Sequence, residues 1–154
     1  MTVHRVTARV LPVSPTGAVL LLQEQDPAQP GQWYWSSIGG AADVGESLSA
    51  AAARELREET GIVVEANRMG APVHRREQAY SWGGVDYVAD STYFVVEVDE
   101  DVEISFDHLE PEEIGNVLTA RWWRPATLAG AVVRPPDLSD LVSLALTAYA
   151  ARCR

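Results

Sequence analysis

Hydrophobic and polar residues alternate near the start of the chain, over residues 3–11, and this pattern predicts a half-buried β-strand. A turn cluster at residues 14–17 is followed by an apolar stretch at residues 18–25, which favours a buried strand. A loop that contains two prolines then leads to a third candidate strand at residues 33–38. The first quarter of the chain is therefore predicted to consist of strands joined by turns.

The next segment, residues 47–60, has the composition of a helix, with an alanine run in its first half. Ser47 is a suitable N-cap, and Gly61 stands where a left-handed residue would end the helix. Three apolar residues spaced four apart form a stripe that can dock on a sheet: Leu48, Ala52 and Leu56.

Further strands and one C-terminal helix are predicted in the rest of the chain. Residues 62–65 are expected to start a strand, residues 91–98 a central strand, and residues 119–124 a short strand with Trp122 and Trp123 on opposite faces. Gly83-Gly84 indicates a hairpin turn, and residues 137–151 a C-terminal helix. No repeat or long linker divides the chain, so we expect one domain of the α/β class, residues 1–154, with helices covering a sheet.

The charge balance is acidic, with 22 acidic residues, 12 basic residues that are all arginine, and a net charge of −10 over 154 residues. This balance argues against a nucleic-acid partner, because such proteins usually present a basic face. The single cysteine, Cys153, excludes an internal disulfide. No apolar run is long enough to span a bilayer or to serve as a signal peptide. We expect a soluble cytoplasmic protein without a membrane partner.

Three glutamates share one face of the predicted helix, because Glu55, Glu58 and Glu59 are spaced three and four residues apart. Their mutual repulsion would be relieved by a cation, and carboxylate ligands favour a hard ion such as Mg²⁺ or Mn²⁺. The alternative is a solvated acidic face with Arg54 and Arg57 as partners.

The residues around these glutamates decide between the two interpretations. Gly40 is followed after five residues by a glutamate, Glu46. After seven more residues come Arg54-Glu55-Leu56, then Glu58-Glu59 and Gly61-Ile62. This segment resembles the signature of the Nudix hydrolase family, G-x5-E-x7-R-E-U-x-E-E-x-G-U with U aliphatic, at every specified position. Seven fixed residue types at fixed spacing make a chance match very unlikely.

The resemblance implies an α/β/α sandwich with a mixed central sheet. It also implies hydrolysis of a diphosphate bond in a nucleoside diphosphate linked to another moiety, with Mg²⁺ or Mn²⁺ as cofactor. The implied metal ligands are Glu55, Glu58, Glu59 and the backbone carbonyl of Gly39. Glu55 is alternatively the base that activates water, while Arg54 would hold the glutamates and Glu46 would brace the loop.

The resemblance continues more weakly outside this segment. Trp35 fits a tryptophan that precedes the family's helix, although Ile38 replaces the usual proline. Residues 121–123, Arg-Trp-Trp, resemble a segment common in bacterial members. Counted back from that segment, Glu113 matches a glutamate that supplies an extra metal contact or the general base.

Substrate-binding candidates are fewer. Arg75 and Arg76 form an adjacent basic pair that could bind phosphates, and Tyr80 or Trp82 could stack on a base. The alternative is that all four are ordinary strand residues. The acid-rich stretch at residues 97–113 is expected to be mostly a solvated loop.

Three hypotheses about function remain at this point. The first is a hydrolase acting on a nucleotide or nucleotide derivative, with a nucleoside triphosphate, a sugar nucleotide and a dinucleoside polyphosphate all open as substrates. The second is a non-catalytic domain that senses a nucleotide, and the third is a purely structural acidic domain. A homodimer is also possible, formed through an exposed edge strand at the N-terminus.

Overall fold

Seven strands form one mixed β-sheet in the computed structural model, which describes residues 1–154. In chain order the strands are β1 (Thr2–Val13), β2 (Val19–Glu24), β3 (Tyr34–Ser36), β4 (Ile38–Ala41), β5 (His74–Trp82), β6 (Val85–Glu97) and β7 (Val117–Trp123). The helices are α1 (Leu48–Thr60), α2 (Pro125–Leu128) and α3 (Leu138–Arg152). The C-terminal helix and the β5–β6 hairpin turn are where the sequence predicts them.

The N-terminal strand β1 lies in the middle of the sheet. It pairs in parallel with β6 along its whole length and in antiparallel fashion with β4 on its other side. It meets β2 only at the pair Val13 and Val19, beyond which β2 continues with β3 and β7. The expectation of an edge strand is wrong for residues 7–10, which are paired on both sides, whereas residues 2–5 pair with β6 alone and keep one free edge. The homodimer itself stays a prediction.

Helix α1 packs on one face of the sheet. Ala52 and Leu56 of the predicted stripe are completely buried there, and Leu48 packs at the margin. The sheet side of this core is formed by residues from four strands: Ala8, Val10, Leu20, Leu22, Ile38, Phe94 and Val96.

Helix α3 packs on the opposite face, where Leu138, Leu141 and Val142 are buried. Trp123 belongs to this core and contacts Trp35 edge to face, with ring centroids 5.0 Å apart. Trp122 packs against the α1 core instead, which confirms that the two tryptophans face opposite ways. The sheet is thus a layer between helices, and the α/β class with a mixed sheet is confirmed. None of the helices has the length and apolar character needed to cross a bilayer.

The strand expected at residues 62–65 is wrong. These residues form an unpaired loop that leads into a 3-10 turn at Ala66–Met69. The side chain of Ile62 is buried in the α1 core while that of Val63 is exposed, so a packed loop produces the apolar pattern that a strand would also show.

Candidate functional site

The carboxylate helix α1 begins and ends as its sequence predicts. The Ser47 hydroxyl accepts a hydrogen bond from the Ala50 amide at 3.1 Å, and Gly61 ends the helix with a φ of 75°. These caps define where the helix begins and ends, and the docking of its apolar stripe on the sheet determines where its glutamates lie. Glu55 and Glu59 are buried against the sheet, at 8% and 2% exposure, while Glu58 is more open to solvent.

Two glycines of β4 allow the helix carboxylates to approach the sheet closely. The Gly39 amide donates a hydrogen bond to Glu59 Oε1 at 2.7 Å. A Cβ added to Gly40 would stand 2.7 Å from Glu55 Oε1, closer than real Cβ contacts come. The spacing of the glycines before the helix thus has a steric reason, because any side chain at Gly40 would displace Glu55.

Arg54 connects the loop before the helix to the glutamates. Its Nε donates to Glu46 at 2.9 Å, and its Nη1 donates to Glu55 at 3.0 Å and to Glu58 at 3.1 Å. Nη2 donates to the Ala41 carbonyl at 3.0 Å. One guanidinium therefore restrains three carboxylates, and its hydrogen bond holds the pKa of Glu46 below the ordinary value.

The carboxylates are crowded enough to change each other's ionisation. Burial and the charge of Glu58 raise the pKa of Glu55 to about 7. Burial and the adjacent Glu113 hold the pKa of Glu59 well above its ordinary range. Glu113 lies in the 3-10 turn Pro111–Glu113, so a segment distant in sequence brings its carboxylate to the helix face.

A further carboxylate, Glu24 at the end of β2, was not among the sequence candidates. It accepts a hydrogen bond from the Ser36 hydroxyl at 2.7 Å, and its pKa is raised by burial, with the charge of Glu113 adding to the effect. In the sequence, Glu24 is only a charged residue at the end of an apolar stretch. Such a residue commonly marks the point where a strand reaches solvent. Here the strand ends inside the site.

Three sequence candidates lie in other contacts. Arg75 pairs with Asp90 at 2.6 Å on the exposed surface, and Arg76 pairs with Asp137 at 2.8 Å. Tyr80 accepts a hydrogen bond from Arg5 and stacks on a neighbouring tyrosine of β6. These three residues belong to β5, at the opposite end of the sheet from β3, and none of their polar contacts includes a helix glutamate.

A family model described as the NUDIX domain matches residues 3–141. The chain belongs to the Nudix hydrolase family. Members of this family hydrolyse nucleoside diphosphate derivatives, and the expected enzyme class is confirmed. A sequence search of the curated proteins finds no match.

Solved structures share the fold of this Nudix hydrolase. The MutT protein from Methanosarcina mazei Go1 is 21% identical, with 92% of each chain covered and a TM-score of 0.64. An Ap4A hydrolase from C. elegans is 17% identical, covering 96% of this chain and 98% of that one, with a TM-score of 0.63. The NUDIX domain of NrtR from Shewanella oneidensis, solved with ADP ribose, is 17% identical, covering 97% and 90%, with a TM-score of 0.68.

The donor set of the Nudix site fits a hard divalent cation. Five glutamates contribute carboxylates to the site, and burial together with the neighbouring negative charges raises the pKa of Glu24, Glu55 and Glu59, an effect that a cation would reverse. In the structure no three acidic, histidine or cysteine side chains converge as a ready-made metal site. Two of the glutamates are instead bonded by Arg54, and Glu59 is bonded by the Gly39 amide.

Proposed function

We propose that this Nudix hydrolase cleaves a diphosphate bond in a nucleoside diphosphate linked to another moiety, by attack of water on phosphorus. One observation carries the proposal: the buried carboxylates of Glu55 and Glu59 face further acids from β2 and the Pro111–Glu113 turn, with few cations among them. Buried like charges are costly, so a site of this kind needs a positively charged partner. We assign the activity to the whole chain, residues 1–154, as one domain.

Mg²⁺ or Mn²⁺ is the cofactor in this proposal, held by Glu55, Glu58, Glu59, Glu113 and the carbonyl of Gly39. When bound, such an ion neutralises phosphate oxygens and lowers the pKa of water. The oxygen-only donor set supports this choice, since both ions prefer carboxylate and carbonyl ligands.

The protein's own side chains position the reaction. Arg54 restrains Glu55 and Glu58 through its Nη1, and the Gly39 amide restrains Glu59. Glu55 or Glu113 accepts the proton of the attacking water in this proposal. Because both carboxylates face the same cluster, each is placed to receive a proton from water inside it.

The test is turnover of a substrate panel with Mg²⁺, containing a nucleoside triphosphate, a sugar nucleotide and a dinucleoside polyphosphate. The wild-type protein is expected to release phosphate or a nucleoside monophosphate from at least one compound. Glu58→Gln and Glu59→Gln are each expected to lower kcat/KM by about a hundredfold or more.

The matched control is Glu103→Gln, which changes an exposed glutamate of the acid-rich stretch and should leave turnover unchanged. Thermal melting of all variants checks that they fold. Near-normal turnover in both site variants would disprove the ligand assignment. Tight binding of a panel compound without turnover by the wild type would favour the nucleotide sensor instead.

A further inference from the structure

Arg9 occupies an unusual position for a charged residue, in the middle of the central strand β1. Its neighbours across the sheet are Gly39 on β4 and Tyr93 on β6. The side chain is partly buried and folds over Ser37, the residue between β3 and β4. At Arg9 the strands β1 and β2 are no longer paired with each other. There β1 pairs with β4 instead, and β2 pairs with β3.

The Arg9 guanidinium has hydrogen-bonding capacity that the protein does not use. Its Nε donates to the Ser37 hydroxyl at 2.9 Å, and its Nη2 donates to the Ser37 carbonyl. A guanidinium carries five N–H donors. Its Nη1 and the second hydrogen of Nη2 have no partner in the protein, so one edge of the planar group is free.

Arg9 also lacks a direct ionic partner, since no carboxylate lies within 4.0 Å of its nitrogens. Arg54, by contrast, contacts several carboxylates of the same site. Burial works to lower the pKa of Arg9, but nearby Tyr93, Glu59 and Glu24 raise it above the ordinary value. The guanidinium of Arg9 thus lies near the acidic cluster, the five glutamates of the site, without forming an ion pair with any of them. This is unusual, because partly buried arginines are normally paired.

We infer that Arg9, anchored by Ser37, binds a phosphate group of the substrate next to the bond that is cleaved. The inference rests on the proposed function and adds to it a substrate-binding residue outside the Nudix segment. A guanidinium edge with two parallel N–H donors matches two phosphate oxygens. The acidic cluster would repel those oxygens, whereas Arg9 attracts them. The phosphate chain of the substrate is therefore oriented towards Arg9.

The experiment measures binding and turnover in Arg9→Gln and Arg9→Lys. Binding uses adenosine 5′-(α,β-methylene)diphosphate, which resists hydrolysis, with adenosine as the probe that lacks phosphate, both in the presence of Mg²⁺. Arg9→Gln is expected to raise the Kd of the diphosphate by about tenfold or more, as expected for losing a charged hydrogen bond. Arg9→Lys should lie between, and the Kd of adenosine should not change.

Turnover of the best panel substrate should show a raised KM in Arg9→Gln, with kcat changed by less than about threefold, since this contact is made in both ground and transition states. The control Arg68→Gln changes an exposed arginine of the Ala66–Met69 turn and should behave as wild type. If Arg9→Gln does not fold, the same comparison is made with Arg9→Lys.

The outcomes separate this inference from the proposed function. Unchanged Kd and KM in the Arg9 variants would overturn the inference and leave the proposed hydrolase activity intact. A lower kcat with unchanged Kd and KM would also overturn it, because that result indicates that Arg9 acts through the glutamates. Failure of the wild type to bind the diphosphate probe also overturns it. A wild type that binds the probe through Arg9 without hydrolysing any compound would instead overturn the proposed function.

Discussion

Position 40 requires glycine because a side chain would not fit there, and not because of its backbone conformation. Ten of the 11 glycines in the chain have a positive φ, and Gly40 is the exception. Its Cα instead lies against the carboxylate of Glu55, where a Cβ would stand 2.7 Å from Oε1. The same residue type thus serves a different purpose here than in the turns of the fold.

Gly40→Ala is accordingly expected to impair activity more than stability. The added methyl displaces the flexible end of Glu55, so the rate should fall by about tenfold or more, as for other small displacements in active sites. Urea unfolding should change little. Gly17→Ala gives the opposite comparison, because Gly17 has a φ of 91° with no atom near its Cβ position. That variant should lose about 1–2 kcal/mol of stability and keep its rate. Full activity of Gly40→Ala would contradict this account.

The site residues differ in how far local sequence determines them. Glu55, Glu58 and Glu59 could be predicted because helical spacing alone places them on one face. Glu24 and Arg9 could not, because their position depends on which strands flank β2 and β1. In β1 the alternating polar residues would face water on a half-exposed strand, whereas here both faces of the sheet are covered.

At the scale of elements, helix α1 joins the site to the core. Its buried apolar side chains dock on the sheet, and its glutamates occupy the adjacent face. Its start and end were predictable because capping depends on neighbours in sequence. The loop after it was not, because an apolar loop packed on a core and a short strand have the same local pattern.

The anchoring of α1 is tested by Leu56→Ala. Leu56 is completely buried, so this truncation should cost about 2–5 kcal/mol of unfolding free energy. Leu48→Ala is the matched control on the same helix face, and it should cost clearly less because Leu48 is only partly buried. Chemical denaturation followed by circular dichroism measures both. Equal losses would show that the helix is not anchored mainly through its buried centre.

At the scale of the whole molecule, the net charge of −10 has two components. Part of it lies on the surface, in residues 97–112, and part is concentrated at the face of α1, where Glu113 joins the helix glutamates. A monovalent salt screens mainly the exposed component, whereas a divalent ion bound at the site acts on the buried one.

Mg²⁺ is therefore expected to raise the Tm beyond the effect of NaCl at equal ionic strength. At ten times its Kd, a ligand that binds only the folded protein contributes about 1.4 kcal/mol, or roughly 3–5 °C for a chain of this size. The double variant Glu58→Gln/Glu59→Gln should lose this specific increment and retain the NaCl effect. Equal shifts with the two salts in the wild type would argue against a specific site.

The position of β1 has a consequence for how the protein is made. Thr2 pairs with Asp86 and Val13 with Glu97, so β1 waits for a partner strand that is synthesised much later. At about 5–20 residues per second, the ribosome needs on the order of ten seconds to deliver that partner. Until then neither helical layer has a complete sheet to pack on. Folding of this enzyme thus depends on an encounter between two strands that are distant in sequence, and a chain released before β6 lacks the centre of its own sheet.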